Sequence, residues 1–358
     1  MPRWFSRRIL AAPIVLTLIG LTACSSSSAS GATACNSSSP AASPVITLAA
    51  YSNPYVAYGK LISTWQSEWK DKHDGQLVQF LTSFGGSTTQ AQSIINGLQA
   101  DIYASSLAPD VELVQQAGLI TNDWQHATDG SIVQSGSVVF DVRPGNPKHI
   151  ENWNDLTQPG LQILTPDPAQ SGGAKWNIVA AYGAAMRGEV PGYQKGNPAD
   201  AEGLLEGIFK NVTVLDKSAN DSLKNFESGN GDVAITYDYQ LATAKAAGGD
   251  DQLVEPPSTV QIRTPTVVVD KNADAHCVND IAAAFVQYLH TREAQDIFAS
   301  TAYTRPIDLK DAAKATDYLP AVKDLFTTDD LGGWDTLVND TVFGPNGAFT
   351  QAFQAAKG

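Results

Sequence analysis

An α/β fold with a largely parallel sheet is the architecture this sequence predicts, on three observations. Short β-branched runs such as 45–51 and 212–215 alternate with stretches of helical period, as in Val56, Tyr58, Leu61, Ile62, Trp65 and Trp69. Several helices start directly after a strand, on glycine or a capping residue, which places loops and sites at the strands' carboxyl ends. The body that begins at Pro44 has over 300 residues, enough for one large or two medium domains.

Arg3, Arg7 and Arg8 precede an apolar stretch at 9–21, and Leu21-Thr22-Ala23-Cys24 closes it. That stretch is too short to span a bilayer and reads as a secretory signal. The Leu-Thr-Ala-Cys ending resembles the bacterial lipobox, which implies that Cys24 is lipidated and becomes the first mature residue. Residues 25–43 are rich in Ser, Ala and Thr and bury no core, so they read as a flexible tether. The expectation is an extracytoplasmic lipoprotein held at the cell membrane, with signal peptide 1–23 and tether 24–44.

The formal charge is −14 and becomes −17 once 1–23 is removed, since that segment carries three arginines and no acid. This acidity argues against nucleic acid and against attraction to anionic lipid. Cys35 and Cys277 are either a disulfide pair or two free thiols. His276 beside Cys277 is no zinc signature, and neither metal nor cofactor is expected.

In the body, 45–51 reads as a strand, then Asn53 as an N-cap and Pro54 as the first residue of a helix reaching Asp74-Gly75. Its aromatic stripe reads as core. A strand at 77–82 leads through Gly85-Gly86-Ser87 into a helix at 88–98, with Ser87 and Gln90 spaced as a capping box. A short strand at 101–105 precedes a helix from Pro109 to Ala117-Gly118. Further strands are read at 137–143, 161–164, 212–215 and 232–237, helices at 174–186, 221–228 and 278–290, and the run 260–269 as a return crossing.

The chemistry centres on Ser171-Gly172-Gly173, which opens the helix after the turn Thr165-Pro166-Asp167-Pro168. Two glycines at a helix N-terminus let a ligand reach the backbone amides, where the helix dipole favours an anion. The pattern is not a nucleotide-binding P-loop and contains no nucleophile with a base. His73, His126, His149, His276 and His290 sit in polar segments or helix ends, and Asp110, Asp141, Asp216 and Asp232 read as caps or solvated charge. An enzyme is therefore not expected. Tyr51, Tyr237 and Tyr239 keep open a receptor that stacks a sugar or peptide.

The run Asp167-Pro168-Ala169-Gln170-Ser171-Gly172-Gly173-Ala174-Lys175-Trp176-Asn177 is similar to the Asn-Pro-Lys-Ser-Ser-Gly-Gly-Ala-Arg-Trp-Asn signature of bacterial sulfate-binding proteins, receptors of sulfate/thiosulfate ABC importers. Gly85-Gly86-Ser87, the run from Ile94 to Asp101, Val142 to Lys148, Trp153-Asn154-Asp155-Leu156 and Leu331-Gly332-Gly333-Trp334 resemble further motifs of that family in the same order. The resemblance implies a two-lobed periplasmic-binding-protein fold of type II. Each lobe is a mostly parallel sheet flanked by helices, with the ligand in the cleft between. The boundaries it implies are 45–138 for the first part of lobe 1, 139–265 for lobe 2, 266–320 for the return to lobe 1, and a C-terminal helical tail at 321–358.

It also implies ligand-binding amides at Asn53, Ser87, Gly172, Gly173 and Ala219, completed by the Ser171 hydroxyl and the Tyr237 side chain. The chain departs from the family in having Asn53 for Asp, Tyr237 for Trp and Asn220 for Arg. Sulfate only accepts hydrogen bonds, so donors alone satisfy it, whereas a protonated phosphate leaves a donor unpaired. Thiosulfate, molybdate, selenate and chromate fit the same logic. The implied partners are the oxyanion and the permease subunits of an ABC transporter. The implied state is a monomer whose cleft closes on the ligand.

Overall fold

A computed structural model of the chain describes residues 43–302, 304, 307 and 322–357. The signal, the tether, Cys24 and Cys35 lie outside the described residues. Strand β1 (Val45–Tyr51) runs into helix α1 (Tyr55–Lys72), followed by β2 (Gln79–Gly85), α2 (Ser87–Ile95), β3 (Ile102–Ala104), α3 (Ala108–Gln116) and the long β4 (Ile132–Val142). Next come β5 (Ile163–Pro166), α4 (Gly172–Arg187), α5 (Pro198–Asn211), β6 (Val212–Asp216), α6 (Ala219–Glu227), β7 (Val233–Tyr237), α7 (Asp238–Ala246) and β8 (Gln252–Val254). The second long strand, β9 (Ser258–Val268), leads to α8 (Asp270–Ala275), α9 (Asn279–Tyr288) and α10 (Arg292–Ala302). Strand β10 (Asp324–Phe326), α11 (Gly333–Thr336) and α12 (Ala348–Lys357) follow.

The strand order β2-β1-β3-β9-β4-β7-β5-β6 splits at the two long strands. β1 pairs in parallel with β2 and β3, and β5 pairs in parallel with β6 and β7. β4 and β9 pair antiparallel with each other, β9 with β3 and β4 with β7, so they tie the two parallel groups into one sheet. The alternation of strands and helices puts the carboxyl ends of β1–β3 and of β5–β7 at the helix-bearing loops that define the site.

Packing follows the same division. On one side Tyr58, Leu61, Ile62 and Trp65 of α1 join Ile46, Leu48, Phe285 and Phe298 in a core, which is the role read for the aromatic stripe. On the other, Trp153, Trp176, Phe209, Phe326 and Phe349 belong to a larger core. The last segment, read as a helical tail, contains β10, which pairs with β9, and α12 packs on α5 with Phe349 against Phe209 at 5.0 Å.

Helix starts differ from the reading by a residue. Pro54 is the N-cap of α1 and Asn53 precedes it. Gly86 caps α2, so Ser87 is its first helical residue and forms no capping box; its hydroxyl is used elsewhere, and Gln90 turns to Ser83 at 3.0 Å. Ser171 does sit at the N-cap of α4, without a side-chain capping bond.

Two of the acids read as caps or solvated charge are fully buried. Asp110 accepts from Thr88. Asp141 lies on β4 opposite Ala234 and Leu253, and neither of its oxygens has a hydrogen-bond partner among the described residues. Burial, reinforced by the Asp251 carboxylate, pushes its pKa up to about 8. The folded state thus binds a proton that the unfolded chain releases near pH 4, so stability from this group is greatest below about pH 4 and declines as pH rises toward 8. In urea titrations at fixed ionic strength Asp141→Asn is expected to be more stable than the parent by roughly 1–3 kcal/mol above about pH 8, with the gain shrinking at about pH 5. A gain independent of pH would contradict this account.

Candidate anion-binding site

The carboxyl ends of the strands converge on one small cavity. From the β1 end come Tyr51, Ser52 and Asn53; from the β2 end, where Gly85 pairs with Tyr51, come Gly86 and Ser87; Ser106 follows β3. From the opposite group come Ser171 and Gly173 at the start of α4, Ala219 at the start of α6, and Tyr237, which ends β7 and caps α7. No Lys, Arg, Asp or Glu is among these residues. Helices α2, α4 and α6 all present their first turns, whose amides have no carbonyl partner within a helix, so partial positive charge accumulates without a formal cation.

Local bonding holds these amides in place. The turn before α4 is closed by Asp167, whose carboxylate accepts from the Ala169 amide at 2.9 Å and from Gln170 Nε2 at 2.7 Å. Ser218 caps α6 by accepting from the Asp221 amide at 3.2 Å, leaving the Ala219 amide at the open turn. The Ser87 hydroxyl accepts from the Ser106 amide at 3.0 Å and bonds Tyr103 and Ser105, so Ser87 offers the cavity its amide rather than its side chain.

Three buried side-chain groups lining the cavity have no hydrogen-bond partner among the described residues: Asn53 Nδ2, Ser106 Oγ and Tyr237 Oη. The Ser171 hydroxyl is not used as a cap. Burial holds the phenols far from ionisation, Tyr51 up to about 12 and Tyr237 well above its usual value, so both stay neutral. A buried polar group left unpaired costs about 1–3 kcal/mol. Several converging on one cavity mark a place built for an acceptor-rich ligand.

The two halves touch around it. Trp176 Nε1 donates to the Ser106 carbonyl at 2.6 Å, the Thr89 amide to the Gln170 carbonyl at 3.2 Å, and Lys175 Nζ lies 3.5 Å from the buried Asp110 carboxylate. A Cβ on Gly86 would collide with the Gln170 carbonyl oxygen and lie 2.8 Å from that of Lys217; one on Gly172 would collide with Leu107 and with the Ser106 hydroxyl. Glycine at these two positions is what lets the halves approach so closely.

A family model for bacterial extracellular solute-binding proteins matches residues 46–304. The chain belongs to this family. A sulfate-binding protein of Synechococcus elongatus is 35% identical over 359 residues, covering 99% of each chain. A sulfate-binding protein of Escherichia coli (strain K12) is 38% identical over 302 residues, 83% of this chain and 88% of its own. The solved structure of the sulfate-binding protein SubI from Mycobacterium tuberculosis H37Rv superposes with a TM-score of 0.73 at 31% identity, over 84% of this chain and 99% of that one. The fold of this solute-binding protein is accordingly the two-lobed, type II periplasmic-binding-protein architecture.

Of the residues singled out from the sequence, Asn53, Ser87, Ser171, Gly173, Ala219 and Tyr237 line the cavity, and Gly172 stands beside it against Ser106 and Leu107. Sequence reasoning missed Ser106, although its place just after a short strand is where such a residue belongs, and it missed the Lys175–Asp110 pair. Tyr51, Tyr237 and Tyr239 are at most 4% exposed, with Tyr237 and Tyr239 edge to face at 5.3 Å, so they offer no open ring to a sugar. His73, His126, His149 and His276 are exposed, and no histidine lines the cavity.

The Trp176 bond spans the halves, and its ring also meets Trp334 edge-on at 4.7 Å. Trp176→Phe keeps most of the ring contact but leaves the Ser106 carbonyl unpaired, with an expected loss of about 1–3 kcal/mol in urea unfolding. An unchanged midpoint would show that water replaces the bond.

Proposed function

We propose that this solute-binding protein captures sulfate outside the cytoplasmic membrane and delivers it to the permease of an ABC importer. The observation that carries the reading is the set of buried, unpartnered groups at Asn53, Ser106 and Tyr237, facing a cavity that also receives the first turns of α2, α4 and α6. Sulfate is a dianion with four acceptor oxygens and no proton, and it satisfies every donor at once. The names of the relatives point the same way. In this reading the Asn53, Ser87, Gly172, Gly173 and Ala219 amides, the Ser171 and Ser106 hydroxyls and Tyr237 form the shell. The Gly86 and Trp176 contacts belong to the closed cleft, and β4 and β9 are the crossings about which it opens.

In calorimetric titration the purified protein is expected to bind one sulfate with a micromolar or lower Kd. Ser171→Ala should weaken binding roughly ten- to hundred-fold, the value of one hydrogen bond to a charged ligand, with the thermal midpoint of the free protein nearly unchanged. Absence of heat with sulfate would sink the reading.

The protein is further proposed to be held at the membrane through a lipid on Cys24. Cys277 is disulfide-bonded, and the chain's only other cysteines are Cys24 and Cys35, so a lipidated Cys24 leaves Cys35 as its partner. Expressed in a bacterium, the parent should partition into detergent and Cys24→Ser into the aqueous phase. Aqueous partition of both would refute the anchor.

A further inference from the structure

Among the groups facing the cavity, amides and hydroxyls differ in one respect that matters for selectivity. A backbone N–H or an Asn Nδ2 can only donate, while a hydroxyl donates and also keeps lone pairs that accept. The two unpartnered hydroxyls, Tyr237 Oη and Ser106 Oγ, belong to residues 1% and 2% exposed, so water does not decide which way they point. The Tyr237 ring is fixed: its backbone ends β7 and caps α7, and it packs edge to face with the Tyr239 ring. Its hydroxyl hydrogen is not fixed, having two in-plane orientations. The oxygen lies 3.1 Å from the point where a Cβ on Gly173 would sit, and the Ser171 hydroxyl lies 3.2 Å from that point, so both oxygens crowd the first turn of α4. No carboxylate lines the cavity, and the nearby Asp110 is already engaged by Thr88 and Lys175. The Asn53 amide oxygen accepts from the Ser52 hydroxyl at 3.2 Å, which leaves the unpartnered hydroxyls as the uncommitted side-chain acceptors for a ligand proton.

Resting on the sulfate reading above, we propose that Tyr237 is the residue that sets the proton specificity of this cage: by turning its hydroxyl, with Ser106 as the second rotor, it accepts from a singly protonated tetrahedral dianion such as hydrogen phosphate or hydrogen arsenate. The site then takes these dianions beside fully deprotonated ones. Burial keeps the phenol protonated throughout, so the hydroxyl offers one hydrogen and one acceptor site in either orientation. A donor-only side chain at this position has no such second state and leaves the ligand proton buried against another donor.

The test is a pair of calorimetric titrations at about pH 8, where inorganic phosphate is mostly the singly protonated dianion, with sulfate and with inorganic phosphate at equal ionic strength. The parent is expected to bind both, phosphate within about a hundredfold of sulfate. Tyr237→Phe, which loses donor and acceptor together, should weaken sulfate roughly ten-fold and phosphate at least ten-fold more than that, so the sulfate-to-phosphate ratio rises. Ser106→Ala should move the ratio in the same direction by less. Sulfate binding by each variant reports that it is folded, and if Tyr237→Phe fails to fold, the parent's phosphate arm and Ser106→Ala decide. Phosphate silent against a parent that binds sulfate, or equal losses for both anions in Tyr237→Phe, overturns the proposal and leaves the sulfate reading standing. Phosphate bound with sulfate silent overturns the sulfate reading and supports the role of Tyr237. Silence with both anions overturns both.

Discussion

Under the proposed function, holding a dianion away from water without a formal counter-charge is the constraint on which the rest of this structure depends. Desolvating such an ion costs several kcal/mol even after relaxation, and attraction repays it only if donors surround the ion in good geometry. First-turn amides are the cheapest source of such donors, because a helix cannot pair them itself. One helix supplies two or three, so several must aim at one point. That arrangement requires two parallel strand groups with their carboxyl ends face to face, here Tyr51 and Gly85 on one side and Pro166, Asp216 and Tyr237 on the other. The antiparallel pair β4 and β9 provides the connection.

Close approach is the second consequence. Donors act at about 3 Å, so the halves must meet at backbone distance, and Gly86 and Gly172 occupy the two positions where a side chain would hold them apart. The contact is then fastened by groups one step removed from the cavity. Trp176 reaches from α4 to the Ser106 carbonyl and is braced from behind by Trp334, which the αL glycines Gly332 and Gly333 bring into place. Motifs more than 150 residues apart in the chain thereby serve one bond.

Much of this was legible because it rests on local signals. Strand, glycine or serine, then helix is a pattern a sequence displays, and it marks Ser87, Ser171 and Gly173, whereas Ala219 is named only through the family resemblance. What stayed hidden depends on contacts distant in sequence. The cap at Ser87 was misread because its hydroxyl is claimed by Tyr103, Ser105 and Ser106, so Gly86 takes the position. Asp110 and Asp141 look like surface acids in a polar chain, and only the packing of α3 and β4 reveals that both are buried, one paired and one not. Strand β10 is three residues long, too short to carry a periodic signal, and it exists because β9 offers it an edge.

The acidic character of the chain fits a cage that works through short-range donors. With a formal charge of −14, the long-range field opposes an anion, but at physiological ionic strength that field is screened beyond about 8 Å, whereas the amides act in contact. The Lys175–Asp110 pair beside the cavity sets one positive group against one negative group and leaves that balance unchanged. A cation inside the cage would attract any anion that fits, whatever its proton count. Neutral donors discriminate instead by which atoms can pair, and that turns selectivity into a matter of individual groups. A backbone amide permits one answer and a hydroxyl two, so a cage in which Tyr237 turns as proposed changes what it recognises without altering its charge or its fold.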